Sequence, residues 1–120
     1  MSGITKEEIY QLINKELLVA NEKFPLFSSN HEMYAVLLEE VEEAKDEMDK
    51  LESLVDNLWQ RVKHNHDSEV TYKIITLILS TSIRLATESI QVASMARKGI
   101  MSNIELLAID QEKGGISWNG

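Results

Sequence analysis

The chain contains no cysteine, and this excludes disulfides, thiolate nucleophiles and cysteine-based zinc sites. Proline occurs once, and no glycine stands between Gly3 and Gly99. A chain whose middle is almost free of breakers favours long helices. No basic surplus exists either: Lys and Arg number 12 against 20 Asp and Glu, for a net charge of −8. A binder of polymeric nucleic acid needs a basic stripe, so that class is disfavoured. The most apolar run, Ile74 to Leu79, is far shorter than the ~20 residues of a membrane span. The start of the chain is polar, with no apolar leader segment. Together these absences predict a soluble, cytoplasmic protein without a membrane segment.

What remains is enough apolar sequence for one folded domain over residues 1–120, of all-α class. Thr5-Lys6-Glu7-Glu8 is a capping-box pattern and opens a first helix over about 5–21, with the stripe Ile9, Leu12, Ile13, Leu17 and Ala20. Pro25 ends it, and Phe24 and Phe27 are expected to plug one end of the core. Ser29-Asn30-His31-Glu32 is a second capping box, opening a helix over about 30–63. Here Tyr34, Val41, Met48, Val55 and Val62 repeat every seven residues. Leu37, Ala44, Leu51 and Leu58 fill the intermediate positions, which reads as a single seam of four heptads. A short polar connection then predicts an antiparallel partner helix over about 69–98. Gly99 is read as a break, with a last short helix over about 103–109 opened by Ser102-Asn103-Ile104-Glu105. From Ile74 to Ala96 the third helix carries only Arg84 and Glu88 as charges. A helix apolar on nearly all sides needs more cover than two other helices give, so an oligomer is expected.

Two features in this frame suggest chemistry. Nine carboxylates stand between Glu39 and Asp56. Among them Glu40 and Glu43, one helical turn apart, fall on the edge of the buried face. The second feature is Glu88, a carboxylate in an apolar helix, where burial is costly unless it is paired or bound to a metal. Either it pairs with Arg84 one turn earlier, or it faces Glu40 and Glu43 as a metal ligand. His31, His64 and His66 have no zinc spacing, and no glycine-rich phosphate loop is present.

The run His31 to Ala44, with its Glu39-Glu40-x-x-Glu43 core, resembles the MazG-like all-α nucleotide pyrophosphohydrolases, in a branch common in bacteriophages and Gram-positive bacteria. So does Glu88 to Ala96, and the likeness covers roughly Phe27 to Met101. The resemblance implies a helical bundle assembled as a homodimer or homotetramer, hydrolysing a nucleoside triphosphate to the monophosphate and pyrophosphate with Mg2+. By position Glu40, Glu43 and Glu88 would be metal ligands, with Glu39 as support or base beside Glu40. His31, Tyr34 and Trp59 would line a base pocket, and Arg84, Arg97 and Lys98 would reach phosphates. The family's second motif is Glu-x-x-Asp, whereas this chain has Glu88-Ser89-Ile90-Gln91. The Gln91 amide oxygen can coordinate a metal but carries no charge, so magnesium affinity is expected to fall. Two further readings follow. One is a non-catalytic oligomer that sequesters a nucleotide or cyclic oligonucleotide signal, as a phage would use in counter-defence. The other is a structural helical assembly whose acids are merely solvated.

Overall fold

The computed structural model describes residues 2–23, 26–65 and 67–112. Phe24, Pro25, His66 and the tail containing Ile116 and Trp118, all singled out above, lie outside the described residues. Among the described residues the fold is all-α, with three helices: α1 (Lys6–Lys23), α2 (Asn30–Lys63) and α3 (Ser68–Glu112). Among the described residues no helix is long and apolar enough to cross a membrane.

The helix starts follow their caps. At α1 the Thr5 hydroxyl accepts from the Glu8 amide at 3.2 Å, and Glu8 Oε1 accepts from the Thr5 amide at 3.2 Å, a reciprocal capping box. At α2 the Ser29 hydroxyl accepts from the Glu32 amide at 3.1 Å. The helix ends at His64, and Asn65 turns the chain with φ 54°. Asparagine tolerates this left-handed conformation better than most residues. Asp67 then caps α3 by accepting from the Val70 amide at 3.0 Å.

Both α1 and α2 pack on α3. The contacts Glu47–Arg84, Met33–Gly99 and Asn30–Asn103 run in opposite senses along α2 and α3, so these two lie antiparallel. Gly99 does not break α3, which continues unbroken to Glu112. The glycine instead makes room for α2: a Cβ there would stand 2.5 Å from Met33 Sδ. Ser102 accordingly starts no new helix. Its hydroxyl donates to the Lys98 carbonyl at 2.8 Å and accepts from the Phe27 amide at 2.9 Å, tying the α1–α2 connection to α3.

The single heptad seam expected on α2 divides in two. Leu37, Ala44, Leu51 and Leu58 are half-buried, as are Glu40, Glu47 and Leu54 beside them. This is the face that α3 covers. Tyr34, Val41, Met48, Val55 and Val62 are exposed, between 43% and 65%. On α3 the two other helices leave much of the surface uncovered, as its composition led one to expect of a single chain. Ile74 and Thr81 are buried, and Leu85, Glu88, Val92 and Met95 continue their stripe half-buried. Ile75, Leu77, Leu79 and Ile83 are more than half exposed. The molecule measures 70 × 32 × 26 Å, with a radius of gyration of 20.4 Å. A compact chain of this length would have about 14 Å.

Candidate metal centre

The site forms at mid-length of the α2–α3 pair. Glu40 and Glu43 are one turn apart on α2, and Glu88 comes from α3. Their carboxylate oxygens can be chosen so that all lie within 4.8 Å of one another. Gln91 stands one turn beyond Glu88. With its amide nitrogen turned inward it donates to Glu88 Oε2 at 2.9 Å and to Glu40 Oε2 at 3.1 Å. Of the four positions drawn from the sequence as ligands, the packing therefore gathers all four.

The electrostatics follow from this crowding. Burial pushes the Glu40 carboxyl above its ordinary value, helped by the charges of Glu43, Glu88, Glu39 and Glu16. Glu88 is pushed up as well, by burial, by a hydrogen bond with Glu43, and by the charges of Glu43 and Glu47. Glu47, one turn beyond Glu43, behaves oppositely. Its burial acts upward, but hydrogen bonds from Arg84 and Lys50 outweigh it and hold the carboxyl low. Arg84 Nε lies 3.2 Å from Glu47 Oε2, and its guanidinium also donates to the Thr81 hydroxyl at 3.1 Å. Of the partners weighed for Glu88, Arg84 goes elsewhere, to Glu47.

A carboxyl that holds its proton more tightly in the folded chain costs stability once ionised. For Glu88 this cost is present above the ordinary value of 4.5 and fades as pH falls toward it. Glu88→Gln, measured with a chelator present, is therefore expected to raise Tm by a few degrees at pH 8. The gain should shrink as pH is lowered toward 4.5. A lower Tm than wild type at pH 8 would contradict the electrostatic picture.

The other sequence candidates are placed as follows. Glu39 is exposed and outside the group of three, and it acts on Glu40 through its charge. Lys98, expected to reach phosphates, is instead buried, with Nζ 4.8 Å from the centre of the Phe27 ring. Arg97 turns to α1, donating to Asn14 Oδ1 at 2.7 Å and lying over Tyr10. His31 and Tyr34 are exposed, and Trp59 is exposed beside Lys63. At ~1.5 Å per residue Trp59 stands ~24 Å along α2 from Glu43, and His31 ~14 Å from Glu40. Within one chain neither reaches the carboxylates. A groove of about 750 Å³ between α1 and α3, lined by Ile9, Tyr10, Ile13, Ala93, Arg97 and Ile100 among others, includes none of the three glutamates.

The sequence reading missed Glu16 and underrated Glu47. Glu16 lies on α1, and only the packing of α1 on α3 brings its charge to bear on Glu40. Nothing in its local pattern marks it. Glu47 had a signal, since it stands seven residues after Glu40 on the same half-buried face.

Comparison of the chain with protein-family models, curated proteins and solved structures found no match.

Proposed function

We propose that this chain binds a nucleotide through a divalent cation and hydrolyses a nucleoside triphosphate to the monophosphate and pyrophosphate. The observation that carries this reading is Glu88. It is one of only two charges between Ile74 and Ala96 of α3, and it meets Glu40 and Glu43 from α2 rather than the nearby Arg84. Three carboxylates converging from two helices, two of them with raised pKa, repel one another when ionised, and a cation joining them would relieve that repulsion. Their donor set is hard oxygen, which suits Mg2+ or Mn2+. The motif likeness to the MazG-like family supports the same chemistry.

In this reading Glu40, Glu43 and Glu88 would hold the cation, and Gln91 would add its amide oxygen after turning about its last torsion. A bound divalent cation supplies phosphate charge neutralisation and a more acidic water. The protein's own part is to fix the three carboxylates on rigid helices. Arg84, one turn before Glu88, is the nearest candidate for a phosphate, which would have to displace Glu47 from it. Gln91 favours a second reading. Its amide bridges Glu40 and Glu88 where the family has a carboxylate, which fits a protein that binds nucleotides without turnover.

The test is incubation with a panel of NTPs and dNTPs and Mg2+, with detection of pyrophosphate. Release from at least one member, abolished by chelator, is expected. If none is hydrolysed the enzyme reading is wrong. A nucleotide that still raises Tm in the presence of Mg2+ would then leave the binding reading standing.

A further inference from the structure

The groove between α1 and α3 lies apart from the acidic site. Ile9 and Tyr10 of α1 and Ile100, Met101 and Ile104 of α3 line it, and they stand between 36% and 62% exposed. A contiguous exposed apolar patch of this kind marks a surface with an occupant. Among the described residues α1 packs on α3 alone, so the N-terminal half of α1 has no other element to cover it. The charged side chains at the groove are Lys6 and Arg97, both cations. We propose that Ile116, Ser117 and Trp118 of the same chain fill this groove and clamp α1 to α3.

The segment that follows α3 has the composition for this. Residues 114–120 carry no charge, in a chain where 27% of residues are charged. Such a segment enters an apolar groove without desolvating an ionised group. Ile116 and Trp118 are two residues apart, so in an extended chain they point to one side, with Ser117 and Asn119 on the other. One apolar side and one polar side is the pattern of a segment half-buried on a surface. The face of an indole also suits the Lys6 and Arg97 cations at the rim.

The length of the segment fits as well. α3 ends at Glu112, and Ile104 stands ~12 Å back along it and Ile100 ~18 Å. At ~3.5 Å per residue, an extended chain carries Trp118 at most ~21 Å from Glu112. Gly114 and Gly115 supply a reversal, because glycine enters the left-handed region without a steric penalty. With residues 113–115 spent on that reversal, Trp118 comes ~10 Å back along α3. That brings its ring level with Ile104. Tethered this closely, the segment meets the groove at an effective concentration on the order of millimolar. A free partner would have to outcompete it.

Trp59→Phe leaves Trp118 as the one tryptophan of the chain. Its emission should then lie to the blue of the same protein in denaturant and resist acrylamide quenching. Dilution from micromolar to nanomolar protein should change neither. Adding Ile104→Asp should move the emission to the red. Adding Leu77→Asp, at an exposed apolar position outside the groove, should not. Circular dichroism reports whether both variants fold. If Ile104→Asp does not fold, Trp118→Ala in the otherwise wild-type chain decides the matter. It should lower Tm by about 5 °C and speed amide exchange in α1 while leaving α2 unchanged. Emission at the denatured position overturns the proposal. So does a blue shift lost on dilution, which would seat the segment on another copy, or one that survives Ile104→Asp in a folded protein. Trp118→Ala with unchanged Tm and unchanged α1 exchange overturns it too. None of these outcomes depends on nucleotide or metal.

Discussion

Under the proposed function, Glu43→Gln is expected to lower magnesium-dependent nucleotide turnover at least about 100-fold, with the helical fold retained. Glu43 is exposed, so the isosteric amide removes a charge without leaving a hole in the packing. What it removes is one of three carboxylates on which a divalent cation would sit. The neighbouring Glu42→Gln supplies the control. Glu42 is exposed on the same helix, carries the same charge and is outside the group of three. If both substitutions reduced turnover equally, the effect would be one of general charge. If neither did, the acids would be a solvated helix face and the structural reading would prevail.

Gln91→Asp should act in the opposite direction. The amide now lies between Glu40 and Glu88, donating to each, and thereby relieves some of the repulsion between them. An aspartate removes that relief and gives the Glu-x-x-Asp spacing on which the proposed function draws. The metal-free protein should lose stability, visible as a lower Tm with chelator. Magnesium affinity should rise about tenfold, because a charged oxygen replaces a neutral one. If the wild type only binds nucleotides, this variant is where turnover should appear. Weaker magnesium binding by Gln91→Asp would show that the position takes no part in holding the cation.

The helix starts were legible in the sequence because caps are local. Thr5 with Glu8, and Ser29 with Glu32, make their hydrogen bonds within four residues of chain. The meeting of Glu40, Glu43 and Glu88 was legible only as one of two alternatives, since a carboxylate in a helix with so few charges needs company and the sequence offered both Arg84 on the same helix and the glutamates across the turn. Three misreadings share one cause. Gly99 was read as a break because propensity is local, while its use, close approach to Met33, is tertiary. Lys98 was assigned to a phosphate because a lysine near a helix end is ordinarily solvated. The packing of Phe27 over α3, fixed by the Phe27–Ser102 hydrogen bond, covers it. The heptad residues of α2 were read as one seam because periodicity gives the stripes without naming their partners. The partner of Arg84 lay beyond sequence reasoning too, since one turn of register decides between Glu88 and Glu47.

The most direct test of the central claim is a crystal of the wild-type protein grown with Mn2+ and measured for anomalous scattering. An anomalous peak is expected between α2 and α3, bounded by oxygens of Glu40, Glu43 and Glu88 at about 2.1–2.2 Å. Its absence from Glu88→Gln crystals grown in the same way would confirm the assignment. Wild-type crystals with no peak at these glutamates, or a peak that persists unchanged in Glu88→Gln, would contradict it.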